Sequence, residues 1–178
     1  MLSDFFYDLG VTDALIWLAG QLGGAEWWMQ ILLLVLGGAI PGIESYNGSF
    51  FGTFFGVHPA MAIPSAVIGN LIATLGLVML LSALRTAATR NRREKEKKDT
   101  WVRRRVLRAA ERYGVPGACL LGPLTLPSQI TAAVLVAIGA KRNQVLLWQA
   151  ISILLWGVAF GLFGEVILRW IGPDISGA

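Results

Sequence analysis

Residues 39–48 read AIPGIESYNG, and they interrupt an apolar text. WWMQILLLVLGGAI, from Trp27 to Ile40, runs into Pro41, Gly42, Glu44, Ser45 and Asn47 before apolar residues resume at Phe50. A Pro-Gly pair breaks a helix, and a carboxylate is costly away from water. How this stretch is read decides the fold.

The flanking sequence identifies the solvent. Of 178 residues 55% are hydrophobic, seven are Trp, and the mean hydropathy is +0.62. Residues 59–84 carry no charge, and residues 143–168 carry one, Glu165. Each is long enough to cross a bilayer core of about 30 Å, so two transmembrane spans are expected. The single Cys119 and single His58 provide neither a disulfide nor a zinc ligand set, and no metal or other cofactor is expected. The N-terminus MLSDFFYDLGVTD is acidic where a signal peptide is basic. It is therefore expected to be retained, as part of an interfacial segment 1–26 with a short helix at 12–22 capped by Thr12 or Asp13.

Measured against those spans, Trp27 to Ile40 makes a helix of only about 21 Å, and Phe50 to Val57 a shorter one. AIPGIESYNG then reads as the tip of a re-entrant hairpin, 27–57, that enters and leaves on one side. A second stretch has the same character. YGVPGACLLGPLTLPSQITAAVLVAIGA, residues 113–140, has halves of about 20 Å each. Pro123 and Pro127 break it, and Thr125, Ser128, Gln129 and Thr131 supply polar groups.

Charge orients these pieces. Between Arg85 and Arg112 there are 12 Lys and Arg against 4 Asp and Glu, net +8, while the rest of the chain has 3 against 7, net −4. The block 85–112 is expected to be cytoplasmic. Its second part, WVRRRVLRAAERY, puts Val102, Val106, Ala109, Ala110 and Tyr113 on one helical face and should lie on the anionic leaflet, with Arg103, Arg104, Arg105 and Arg108 meeting lipid headgroups. Tethering between membrane segments makes lipid phosphate the nearer partner than nucleic acid. Span 59–84 then runs outside to inside, and span 143–168 runs back out. The order hairpin 27–57, span 59–84, connector 85–112, hairpin 113–140, span 143–168 is an inverted repeat, 27–84 and 113–170, within one all-α integral membrane domain spanning 1–178. Inverted repeats with broken helices place a substrate site where they meet, so the tips should face each other. A plainer topology stays open: 27–57 and 113–140 as Pro-kinked full spans in a four-helix protein, with Lys141 and Arg142 outside.

Particular motifs carry a resemblance. GAIP at 38–41, AVIGN at 66–70 and RYG at 112–114 followed by GPLTLPSQ at 122–129 resemble the small multidrug export protein family of the DedA superfamily, over roughly residues 30–165. IPGIES at 40–45 is similar to the DedA pattern of prolines followed by a glutamate. The resemblance implies a bacterial cytoplasmic-membrane protein with two inverted re-entrant hairpins, translocating polyprenyl phosphate carrier lipids or handling drugs and protons. The chain departs from the family at Val35 and Gly37, where a Glu and an Arg are usual, and at Thr125, Ser128 and Gln129, where DedA proteins carry arginines.

The residues themselves suggest roles. An intramembrane carboxylate faces a cavity or a partner and can exchange a proton during transport. Glu44 is thus the candidate for proton coupling, or else it bonds freed backbone N–H groups of its own hairpin. Half-helix N-termini after Pro41 and Pro127 direct partial positive charge at the cavity. Glu44, Ser45, Asn47, Thr125, Ser128, Gln129 and, in the first span, Asn70 are candidates for substrate contact, with self-capping or interhelical bonding as the alternative. Asn47-Gly48-Ser49 is read as a turn. GxxxG spacings at Gly52–Gly56 and Gly157–Gly161 permit close packing within a protomer or in a homodimer. Trp27, Trp28 and Trp170 are expected at the outer boundary, and Glu165 and Arg169 are spaced for an ion pair. No catalytic triad, phosphate loop or metal cluster points to an enzyme. The expected function is transport of an amphiphilic substrate, a polyprenyl-phosphate-type lipid first. Export of small hydrophobic cations is the alternative, and a non-transporting accessory role a third reading.

Overall fold

A computed structural model describes residues 24–89 and 101–175. The helix expected at 12–22 and the charge-dense stretch 90–100 lie outside the described residues. Among them, six α-helices follow in order: α1 (Trp27–Ala39), α2 (Glu44–Phe54), α3 (Pro59–Thr89), α4 (Trp101–Leu121), α5 (Ser128–Ala137) and α6 (Arg142–Ile175), with a 3-10 turn at Gly122–Leu124.

α1 and α2 fold back on each other, with Gly48 against Gly38 and Gly52 against Leu34. They are two arms of a hairpin rather than one kinked rod. The turn between them is shorter than AIPGIESYNG suggests. Glu44 N–H donates to the Ile40 carbonyl at 3.1 Å, and Gly42 (φ 98°) and Glu44 (φ 57°) take left-handed backbone to reverse the chain. Asn47-Gly48-Ser49, expected as a turn, lies inside α2. Gly48 is there for contact: a Cβ on it would sit 3.0 Å from the Ala66 methyl of α3.

The second hairpin begins within α4, which Gly114 (φ 69°, ψ −177°) divides into a basic helix, 101–113, and a half-helix, 115–121. Pro116 is tolerated at this position because an N–H in the first turn of a helix has no intrahelical carbonyl to bond, so its loss costs no hydrogen bond. α4 then ends in the turn carrying Pro123, and Pro127 precedes α5. Both hairpins exit in the same way. Val57 N–H donates to Gly52 and Gly56 N–H to Thr53; Ala140 N–H donates to Leu135 and Gly139 N–H to Val136. With Gly56 at φ 87° and Gly139 at φ 107°, these are paired left-handed helix ends.

α3 and α6 are about 46 and 51 Å long at 1.5 Å per residue, running past the expected spans 59–84 and 143–168. α2 packs on α6 along a glycine ladder: Gly157 faces Val67 and Ser45, Gly161 faces Ile63 and Ser49, and Gly164 faces Phe50 and Thr53. The Gly157–Gly161 spacing thus serves packing within the chain. Gly52 packs on Ala62 and Leu34, whereas Gly56 serves the turn.

The basic half of α4 caps the second hairpin. Val106 is buried with Ala118, Cys119, Ala132 and Leu135, and Val102, Ala109 and Ala110 pack against that cluster. Tyr113, expected on the same face, is instead exposed, because the chain breaks at the next residue; Arg112 lies over its ring at 5.3 Å. The distribution of polarity is inverted. Glu44, Ser45, Ser49, Thr53, Asn70 and Gln149 are buried, while Ile72, Met79 and Leu80 of α3 and Leu147, Leu154 and Phe163 of α6 are exposed.

Candidate functional site: the junction of the two hairpin tips

Glu44 opens α2 and Ser128 opens α5. The two first residues meet: the backbone N–H of Ser128 donates to Oε1 of Glu44. A carboxylate at a helix N-terminus satisfies one of the four N–H groups that have no partner in the helix and complements the helix dipole. The partner helix belongs to the other hairpin, not to Glu44's own. The second tip is thereby capped by the first.

Around this bond lies a buried polar network centred on Asn70, itself 1% exposed. Its Oδ1 accepts from Gln129 Nε2 at 3.0 Å, Ser128 Oγ at 3.1 Å and Thr74 Oγ1 at 3.3 Å. Its Nδ2 donates to Ser45 Oγ at 3.4 Å, and Ser45 Oγ donates to the Ile153 carbonyl at 3.0 Å. The arrangement is internally symmetric. Ser45 and Gln129 are each the second residue of a short helix, and they bond Ile153 and Asn70, each the twelfth residue of a long one in the other half. One residue earlier on the long helices, Gly69 abuts the Val35 carbonyl, and Ser152 Oγ donates to the Cys119 carbonyl at 2.8 Å.

Of the candidate residues, the structure brings Glu44, Ser45, Asn70, Ser128 and Gln129 into one cluster. It leaves two others outside. Asn47 Nδ2 donates to the Gly42 carbonyl at 3.2 Å and caps its own turn, and Thr125 is exposed, its hydroxyl donating to the Gly122 carbonyl at 3.3 Å. Arg103, Arg104, Arg105 and Arg108 lie on the basic half of α4, and Arg105 lines a cavity that also touches Thr125 and Leu126. Thr125 does line an open crevice of about 220 Å³ between the tips, with Gly42, Tyr46, Pro123, Leu126 and Pro127.

The structure adds polar residues that sequence reasoning missed. Thr74 extends the network by one helical turn. Thr53 Oγ1 donates to the Gly161 carbonyl at 2.7 Å and ties α2 to α6. Gln149 is fully buried on α6, and neither of its amide atoms has a hydrogen-bond partner among the described residues; the same holds for the hydroxyl of Ser49 and for that of Thr131, which the sequence already marks as a polar group of the second tip. Their signal was available as isolated polar letters in apolar runs. At the far end of α6, Arg169 pairs with Glu165 at 2.6 Å on the surface. Among the described residues no cluster of metal-ligating side chains occurs.

Comparison with known family models, with curated proteins and with solved structures finds no match for this chain.

Proposed function

We propose that this chain is a polytopic membrane transporter of an amphiphilic substrate, built as an inverted repeat of the DedA type, with the substrate handled where the two re-entrant tips meet. The observation that carries the reading is the Glu44–Ser128 bond, a buried carboxylate at the junction of two broken helices within a polar network that exposed apolar helices surround. Backbone that leaves helical geometry at membrane depth is stable only against protein or a wet cavity, and here the tips pack on each other beside an open crevice. Within the apolar stretches Pro59–Leu81 and Arg142–Ile167, only 39% and 28% of the most apolar 18-residue windows are buried, as suits helices that face lipid rather than a soluble core. The crossed bonds from the second residues of α2 and α5 to the twelfth residues of α6 and α3 support a two-fold relation between the halves.

In this reading the crevice at Tyr46 and Thr125 receives the polar end of the substrate, and Glu44 behind it exchanges a proton as the tips separate and close. Separation exposes the first N–H groups of α5 to the cavity, where they suit an anionic headgroup. The test is movement of a labelled polyprenyl phosphate between leaflets of liposomes holding the purified protein, with and without a proton gradient. Wild type accelerates movement, and Glu44→Gln slows it and flattens its dependence on pH. Wild-type speed and pH dependence in Glu44→Gln overturns the role of Glu44, and no movement with folded wild type overturns the substrate.

A further inference from the structure

The basic half of α4 does more than coat a surface. Arg105, Arg108, Arg112 and Tyr113 line an open groove of about 430 Å³, and Arg105, Ala109 and Tyr113 are shared with a second cavity of about 200 Å³ beneath the helix. The second cavity is walled by Val106, Ala118 and Leu121 and ends at Gly122, Thr125 and Leu126 of the second tip. Thr125 and Leu126 in turn line the crevice between the tips. The three chambers therefore share walls: a cationic rim on α4, an apolar pocket beside it and the crevice between the tips. None of the three arginines is paired with a carboxylate among the described residues, and Glu111 of the same helix does not line either cavity.

We infer that this groove is a docking site for an amphiphile bearing a phosphate headgroup, with the phosphate on Arg105, Arg108 and Arg112 and the first carbons of its chain in the apolar cavity beneath Ala109. The chemistry of the two chambers selects such a molecule. Guanidinium groups bind phosphate through paired, charge-assisted hydrogen bonds, while a dry pocket gains free energy from each methylene it takes from water. A cationic amphiphile suits the pocket but is repelled by the rim, and a free anion suits the rim but leaves the pocket unused. The sequence shows no arginine at the second tip, and α4 brings Arg105 to a cavity that reaches it.

The inference rests on reading the chain as membrane-embedded, and it is tested by binding rather than by transport. The full-length protein in neutral detergent is titrated with dodecyl phosphate, inorganic phosphate or dodecyltrimethylammonium, and bound molecules are counted by native mass spectrometry. Dodecyl phosphate is expected to bind one to one, and Arg105→Gln to weaken it by about tenfold, as loss of a charged hydrogen bond implies. Ala109→Leu, which puts bulk into the wall that both chambers share without changing charge, should weaken dodecyl phosphate but not inorganic phosphate. Arg142→Gln, outside the groove, should change neither. Equal binding of dodecyl phosphate by Arg105→Gln and wild type overturns the site. So does inorganic phosphate binding as tightly as the alkyl ester, which assigns the rim to free anions, or tighter binding of the ammonium probe. Binding without lipid movement in liposomes would instead leave the docking site standing and remove the transport reading.

Discussion

Glu44 accepts the first N–H of a helix that belongs to the other hairpin, so the residue is structural as well as a candidate for proton exchange. Glu44→Ala leaves the buried Ser128 N–H without an acceptor, which costs about 1–3 kcal/mol. Glu44→Gln keeps an acceptor oxygen in the same place and should retain most of that stability while losing the titrating group. Thermal unfolding in detergent checks the pair: a lower Tm for Ala than for Gln is expected, and equal values would mean that the bond contributes nothing. Glu44, Ser45, Asn70, Ser128 and Gln129 were legible as a candidate cluster because polar letters beside Pro and Gly stand out in an apolar run. Which of them point inward was not legible. Asn47 sits three residues after Glu44 on the same helix yet turns back to its own Gly42, a matter of tertiary register that no periodicity records when α2 is only 11 residues long.

At the scale of elements, α1 and α3 touch backbone to backbone. A methyl on Gly38 would overlap the Ala66 carbonyl, and one on Gly69 would overlap the Val35 carbonyl, so neither helix can accept it without moving apart. Gly38→Ala and Gly69→Ala should each destabilise by about 1–3 kcal/mol or more, and because Asn70 follows Gly69 they should also disturb the polar junction. Gly76, on the same α3, has open space where a methyl would go, and Gly76→Ala should be neutral or stabilise by up to about 1 kcal/mol through helix propensity. Retained fraction after heating, followed by size-exclusion chromatography, separates these outcomes; an unaffected Gly69→Ala would mean that the helices do not cross there. Helix breaks were legible from Pro41, Pro123 and Pro127. The start of α2 was not, since ESYNG has the composition of a turn and is helical only because Gly48 allows α2 to lie against Gly38 and Ala66.

At the scale of the whole molecule, the two candidate topologies place the ends of the second hairpin differently. With 27–57 and 113–140 as re-entrant hairpins, His58 faces outside and Lys141 shares the inner side with the basic helix of α4; with both segments as full spans, Lys141 faces outside. The fold-back of α1 on α2, and the common cluster of Ala118, Cys119, Ala132 and Leu135 across the second hairpin, favour the first arrangement. Cys119 is buried, so replacing it with Ala gives a background in which a new cysteine is the only thiol. In intact cells, a charged maleimide added outside is expected to label His58→Cys and to miss Lys141→Cys and Arg103→Cys, both of which become reactive once the membrane is opened. Labelling of Lys141→Cys from outside would convert the hairpins into spans. It would also separate the tip of the second segment from the inner surface, and with it the adjacency between the arginine rim of α4 and the Thr125–Leu126 chamber on which the proposed docking site rests.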